Sequence, residues 1–183
     1  MINRIIVSGF GGQGVILIGK ILGVCGYEQG IFSTVLPTYG VEQRGGTANT
    51  TVVLSDAKIA SPVADNPDVL IALNQPSVDK YLPTVKKGGC IIANTSQVNT
   101  ESIDRDDICI LQVAADDLAQ EIGSAKVANI LMLSAYAGYS GIITYETLEK
   151  VVLSSLAKKP EFVPLNKEAL KRGYELGIRA SED

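Results

Sequence analysis

The sequence contains no histidine and no tryptophan. Without histidine, this chain alone cannot build a Ser–His pair, an imidazole base or a His-ligated metal. Cysteine is scarce as well: Cys25, Cys90 and Cys109 stand far apart, with no CxxC pair. That spacing argues against an iron–sulfur cluster or a zinc site held by this chain, and the odd number argues against a disulfide framework. The three are read as small buried hydrophobes. Basic residues are outnumbered, 16 Lys and Arg against 20 Asp and Glu, for a net charge of -4. Nucleic acid is therefore not expected as a partner, because phosphate binding needs a surplus of Lys and Arg on one face. No basic stretch followed by an apolar run opens the chain, so no signal peptide is expected. The most apolar uncharged run, Ile5 to Gly19, is shorter than the ~20 residues of a membrane span and carries GGQG in its middle. The expectation is a soluble, cytoplasmic protein with no membrane partner.

What is present is enough for a real core. The chain has 183 residues, 46% hydrophobic and 20% charged, which suits one domain over 1–183. The apolar run RIIVSG reads as a buried strand, followed by a helix over VILIGKILGVCGYEQG that is apolar nearly all round. Gly19 and Gly23 lie on one face of that helix, where they suit close approach to the sheet or to another subunit. IFSTVLP and TANTTVVLS read as the second and third strands. About ten residues and no helix connect them, too few for a parallel crossover, so this pair is expected to be antiparallel. DVLIAL, CIIANT and ICILQV read as three further strands. QPSVDKYLPTVKKGG reads as a short helix interrupted at Pro83 and closed by Gly88 and Gly89 as a C-cap. DRDD, at 104–107, reads as a solvated turn. The stretch from Ala115 to Gly141 reads as one or two helices with the break at Gly123. A helix follows Thr144, and a last one starts with Asn166 as N-cap and ends near Gly177. Strands alternating with helices give an α/β fold: three-layer, Rossmann-like, with a mostly parallel sheet and at least one antiparallel strand pair.

The segment GFGGQG, residues 9–14, stands between the first strand and the first helix. Gly9, Gly11 and Gly14 fit G-x-G-x-x-G, with Gly12 and Gln13 inside the motif. Glycines let the backbone approach a ligand, and a helix start offers unpaired N–H groups to an anion. A dinucleotide cradle also needs an acid at the end of the second strand for the ribose hydroxyls. VLPTYG supplies none; Glu42 comes later, beside Arg44. On the residues alone three readings stay open: a nicotinamide site, an anion or partner segment docking at the helix start, and a ligand-free turn. Replacing Gly11 with Val is expected to disturb the turn. The loop PTYGVEQRGG adds Tyr39, Glu42 and Arg44, the last beside Gly45 and Gly46, an arrangement that lets a guanidinium reach a phosphate or carboxylate. The plainer reading is a Glu42–Arg44 surface pair on a tight turn. From Ile5 to Leu54 only Lys20, Glu28, Glu42 and Arg44 are charged. Such a stretch is explained by packing on another subunit or by a well-covered central sheet.

GFGGQGV at the start, with YGVEQRGG about thirty residues later, resembles the gamma subunit of the 2-oxoacid:ferredoxin oxidoreductases. NPDVLIALNQPSVDKYLPTVKKGGCIIANT and NKEALKRGYELG also look like that family, so the resemblance runs the length of the chain. It implies an enzyme complex that oxidatively decarboxylates a 2-oxoacid with coenzyme A, giving acyl-CoA, carbon dioxide and reduced ferredoxin. It implies that thiamine diphosphate, Mg and iron–sulfur clusters sit in partner subunits, alpha and beta, with a ferredoxin-like delta subunit as a further candidate. No cofactor is then bound by this chain alone, and the isolated chain is expected to be inactive. By the same resemblance Gly9, Gly11, Gly12, Gln13, Gly14, Tyr39, Glu42, Arg44, Gly45 and Gly46 stand at the motif positions, on the coenzyme A side of the site. Phe10 and YGVEQRGGT look more like the 2-oxoglutarate or branched-chain type than the pyruvate type, and indolepyruvate oxidoreductase has a related subunit. A free-standing NAD(P) dehydrogenase and a simple coenzyme A or nucleotide-binding module remain as alternatives. An isolated chain is expected to form a homodimer through its apolar first third.

Overall fold

The computed structural model describes residues 1–39, 47–156 and 159–182; of Tyr39 it describes the backbone. The opening strand β1 (Ile2–Phe10) carries Ile5, Ile6 and Val7 in succession, all buried, so both of its faces are covered. A turn leads into helix α1 (Val15–Glu28), and then come β2 (Phe32–Tyr39) and β3 (Thr47–Ser55). The short link acts as the chain length requires: β2 and β3 are antiparallel, with Phe32 opposite Ser55 and Tyr39 opposite Ala48. β3 is also antiparallel to β1, pairing Ile2 with Ser55 and Phe10 with Thr47. This second antiparallel pair places β3 between β1 and β2.

The rest of the sheet is parallel. β4 (Val69–Ala72) pairs with β1, β5 (Cys90–Asn94) with β4, and β6 (Cys109–Val113) with β5. The strand order is β2-β3-β1-β4-β5-β6. Helix α2 (Gln75–Tyr81) follows β4; helices α3 (Ala115–Ile122), α4 (Ala128–Ser140), α5 (Tyr145–Ser155) and α6 (Val163–Glu182) follow β6.

Alternation along the strands divides the core into two. Ile5, Val7, Val52, Leu54, Ile71 and Ile92 face α1 and α3–α6. Ile6, Leu70, Ala72, Ile91 and Ala93 face the other way, toward Val78 on α2 and toward Val85 and Val98. One layer is thick, the other thin. Within the thick layer α4 lies under α6 at unusually short range. A Cβ on Gly138 would stand 2.2 Å from the Tyr174 carbonyl oxygen, and one on Gly177 would stand 2.1 Å from that of Ala135. The Ser134 hydroxyl, fully buried there, donates to the Leu170 carbonyl at 2.5 Å. Gly19 and Gly23 of α1 do the same against the sheet, their missing Cβ positions lying 2.3 Å from Thr50 and 2.5 Å from Val35.

Several boundaries differ from the sequence expectation. α2 ends at Tyr81 and passes into a 3₁₀ turn over Leu82–Thr84, where Pro83 cannot donate the next helical hydrogen bond. Gly88 and Gly89 therefore cap no helix. Gly88, with φ 73°, turns the chain into β5, and its N–H donates to Asp107 at 2.8 Å. Asn166 is not an N-cap: α6 starts at Val163, and the buried Asn166 amide donates back to the Phe162 carbonyl at 2.8 Å. Gly177 lies inside α6, where its lack of a side chain serves helix packing rather than termination. Gly123, with φ 113°, does break α3 from α4, and Thr144 caps α5 by accepting from the Thr147 N–H.

Candidate functional site

The GFGGQG segment lies at the C-terminal end of β1. Gly9 pairs with Ala48, and Phe10 closes the strand opposite Thr47. Gly12 and Gly14 adopt φ of 97° and 87°, a left-handed backbone that side chains resist, and Gly14 forms the N-cap of α1. Gly11 has neither property: its φ is not positive, and an added Cβ would meet nothing within 4 Å. The expectation that Gly11→Val disturbs the turn is thus corrected, because the steric requirement sits one and three residues later.

Gln13 holds the turn in place. Its Oε1 accepts from the Phe10 N–H at 2.6 Å and from Asn74 Nδ2 at 3.0 Å, while its Nε2 donates to the Leu73 carbonyl at 3.3 Å. Asn74 in turn caps α2, accepting from the Ser77 N–H and hydroxyl. The β4 end is thereby fixed to the loop after β1. This is the point where the helices following neighbouring strands leave on opposite faces of the sheet, the usual place for a ligand crevice in an α/β fold.

A crevice of about 200 Å³ opens there. Its walls include Gly12 and Gln13, the end of β5 at Asn94, Asp116 on α3, and Lys126 and Asn129 around the start of α4. Asn94 is buried and fully used: its Oδ1 accepts from the Ala115 and Ser96 N–H groups, and its Nδ2 donates to Asp116 and to Leu73. Asp116 also accepts from Gln97 at 2.7 Å. Asn129 differs, since its buried Oδ1 has no hydrogen-bond partner. An unpaired buried acceptor at a crevice wall is a group awaiting a donor. Sequence reasoning missed Leu73, Asn74, Asn94, Asp116, Lys126 and Asn129. They belong to no local motif and come together only through the strand order.

The second sequence motif is placed in part. Tyr39 ends β2 in the same row as Gly9, since both pair with Ala48 of β3. Thr47, where β3 starts, stands beside Phe10. Both flanks of the Arg-bearing loop thus belong to the sheet end that carries the glycine turn. Glu42, Arg44, Gly45 and Gly46 lie outside the described residues. The topology also bears on the nicotinamide alternative. A dinucleotide fold sets a parallel strand beside the first one, with the ribose-binding acid at its end. Here that position belongs to β3, which runs antiparallel and presents Thr47.

Groups whose ionisation burial shifts lie outside the crevice walls. Burial, with Glu28 adding to it, pushes the Cys25 thiol up to about 12. Burial likewise raises Cys90, Tyr136 and Tyr139. The Arg105 guanidinium beside Asp107 holds that carboxyl below its ordinary value. In the same turn Arg105 also donates to the Leu82 and Val85 carbonyls, so DRDD is a clasped turn rather than a freely solvated one.

The fold and crevice define a mixed-sheet α/β domain with a glycine-turned, amide-lined recess at the C-terminal edge of its strands. A model of the pyruvate ferredoxin/flavodoxin oxidoreductase family matches residues 4–176, and the chain belongs to that family. It is 36% identical over 178 residues to the 2-oxoglutarate synthase subunit KorC of Methanocaldococcus jannaschii, covering 96% of this chain and 94% of that one. It is 35% identical over 174 residues to the ketoisovalerate oxidoreductase subunit VorA of Methanothermobacter thermautotrophicus, of which it spans only 36% while 94% of this chain is covered. The keto/oxoacid ferredoxin oxidoreductase gamma subunit of Geobacter sulfurreducens has the same fold, with a TM-score of 0.84, 29% identity and 98% of each chain covered.

The resemblance implies a divalent metal and iron–sulfur clusters in the complex, and the described residues do not fit either. Among the described residues no group of three or more His, Cys, Asp and Glu is placed to hold a metal ion. Cys25 lies on α1, against β2 and β3, while Cys90 and Cys109 lie on β5 and β6, so no cluster-forming cysteine set exists. No described helix is long and apolar enough to cross a membrane.

Proposed function

We propose that the chain serves as the gamma subunit of a cytoplasmic 2-oxoacid:ferredoxin oxidoreductase, with 2-oxoglutarate as the first choice of substrate. The complex would convert a 2-oxoacid, coenzyme A and oxidised ferredoxin into acyl-CoA, carbon dioxide and reduced ferredoxin. The observation that carries this reading is the family membership of a chain that has no histidine and no described metal-binding group. Carbon chemistry and electron transfer then belong to alpha and beta partners, with a ferredoxin-like delta subunit as a further member.

The role left to this chain is to shape the coenzyme A side of the site. A crevice of about 200 Å³ is below the 300–1,000 Å³ usual for whole small-molecule ligands. It would receive one part of coenzyme A, and a partner surface would cover the remainder. Lys126, the Asn129 Oδ1 and the glycine turn supply charge and hydrogen bonds to that part. Arg44, reaching in from its loop, would add a guanidinium. The match to KorC over nearly its full length favours 2-oxoglutarate, and the comparable identity to VorA makes 2-oxoisovalerate the competitor.

The test is purification of the chain from its native extract, followed by assays of the complex with 2-oxoglutarate, 2-oxoisovalerate and pyruvate. Larger thiamine- and cluster-bearing subunits should accompany it, kcat/KM should be highest with 2-oxoglutarate, and Arg44→Ala should raise the KM for coenzyme A. A chain that stays alone in its extract, or that turns over a 2-oxoacid by itself, would overturn the reading. Micromolar binding of NAD(H) or NADP(H) would revive the dehydrogenase alternative.

A further inference from the structure

At the opposite end of the parallel strands from the glycine turn, Cys90 and Cys109 open β5 and β6. They are register partners on adjacent parallel strands. Adjacent strands lie roughly 4.8 Å apart, inside the Cα separation of about 4.4–6.8 Å that a disulfide spans. Both side chains belong to the same face of the sheet. Cys90 is a member of the core that faces α4, and Cys109 packs against that same core, whereas its neighbours Ile108 and Ile110 pack on the other side. The Cys90 thiol donates to the Ile91 carbonyl, and Cys109 and Tyr139 of α4 pack against the same core. Their exposures are unequal: Cys90 is 1% exposed, while Cys109, on the edge strand, is only partly buried. Cys25 is fully buried on α1 and takes no part.

We propose that Cys90 and Cys109 form a peroxide-oxidisable dithiol, with Cys109 as the attacking thiol and Cys90 as the resolving one. In the first step the Cys109 thiolate attacks hydrogen peroxide. An S–O bond forms, the O–O bond breaks, and the departing hydroxide takes up a proton to leave as water. In the second step the Cys90 sulfur attacks the sulfenic sulfur of Cys109. An S–S bond forms, the S–O bond breaks, and the hydroxyl leaves as water with the Cys90 proton. Two thiols are oxidised and one peroxide is reduced to two waters. The division of labour follows exposure, because oxidant reaches the edge strand first. Burial raises the Cys90 thiol, and Cys109 adds to that shift, so Cys90 stays protonated until the sulfenic acid forms beside it. The bridge would tie the edge strand β6 to β5, and a small thiol reductant would release it.

The full chain tests this directly. Trypsin cuts after Lys87, Arg105 and Lys126, which puts Cys90 on peptide 88–105 and Cys109 on peptide 106–126. After dilute hydrogen peroxide, two of the three thiols should be lost, and the chain mass should fall by two hydrogens. Under non-reducing conditions the two peptides should run as one species, separated again by dithiothreitol. In Cys90→Ser the bridge cannot form, and Cys109 should instead be labelled by dimedone, which traps sulfenic acids. The proposal is overturned if Cys109 gains two or three oxygens with Cys90 still reduced, if the only cross-links are between chains, or if Cys109 in Cys90→Ser takes up no dimedone.

Discussion

The two halves of the sheet are built to different rules. The parallel half, β4 to β6, lies between helices and turns, and its outer surface is studded with ion pairs. Arg105 holds Asp107 at 2.5 Å, Lys86 pairs with the nearly buried Asp68, and Arg172 reaches both Glu168 and Glu121. The antiparallel half, β2 and β3 beside β1, is covered by α1 on one face, and on the other Ile6 and Val53 are buried while its outer part stays open. On its other face Phe10, Phe32 and Leu36 are 37%, 46% and 40% exposed, among threonines rather than charges. Across α1 the outward side chains include Leu17, Val24 and Tyr27, all exposed. Charge is not absent from this half, since Met1 pairs with Asp56 and Glu28 with Lys150, but its exposed apolar side chains suit contact with protein. The first half is finished by its own chain, and the second keeps apolar side chains exposed.

Substitutions can break this comparison, taken in order of their expected effect on stability. Gly177→Val puts side-chain atoms against the Ala135 carbonyl oxygen and the Tyr139 N–H, where even a Cβ would stand at 2.1 and 2.6 Å. α6 must then lift from α4, costing about 3 kcal/mol or more. The urea midpoint of the full chain should fall steeply, and an unmoved midpoint would mean that α6 is not seated there. Gly14→Ala should cost about 1–3 kcal/mol, from its left-handed backbone and its contact with Asn129. Gly11→Ala should stay within about 0.5 kcal/mol. Equal losses at the two glycines would refute the assignment of the turn.

A pH titration sharpens the comparison on the inner side of the antiparallel half. The Cys25 thiol is raised from its ordinary 9.0 to about 12 in the folded chain. Its contribution is therefore fully present below pH 9 and is lost as pH rises toward 12, because the unfolded chain releases the proton first. Cys25→Ala should flatten the fall of unfolding free energy with pH across that window. An unchanged slope would mean that α1 does not seal this thiol from water. The smallest stability change is expected on the open face, where Leu36→Lys should stay within about 0.5 kcal/mol. The same substitution should abolish recovery of partner subunits in a co-purification. Intact assembly would show that this face is not a subunit interface.

The strands were legible because each carries its own apolar run, and the β2–β3 hairpin was legible because its connection is too short for a crossover. The β1–β3 pairing was not, since nothing within either segment names the strand beside it. Asn166 misled as a cap because Val163 and Pro164 start the helix one turn earlier, and its amide satisfies itself on Phe162. At the site, the glycine turn is a local signal and was readable. Asn94, Asp116 and Asn129 are not local to it: they sit about 80 to 115 residues away and meet it only because β5 and β6 are laid down beside β4.

The three hydrogen bonds of Gln13 have a thermodynamic consequence. A recess whose rim is already tied to β4 and to the cap of α2 has little left to order when a guest arrives. The glycine turn itself should then add no ordering term to the heat-capacity change of association, beyond the contact area it buries.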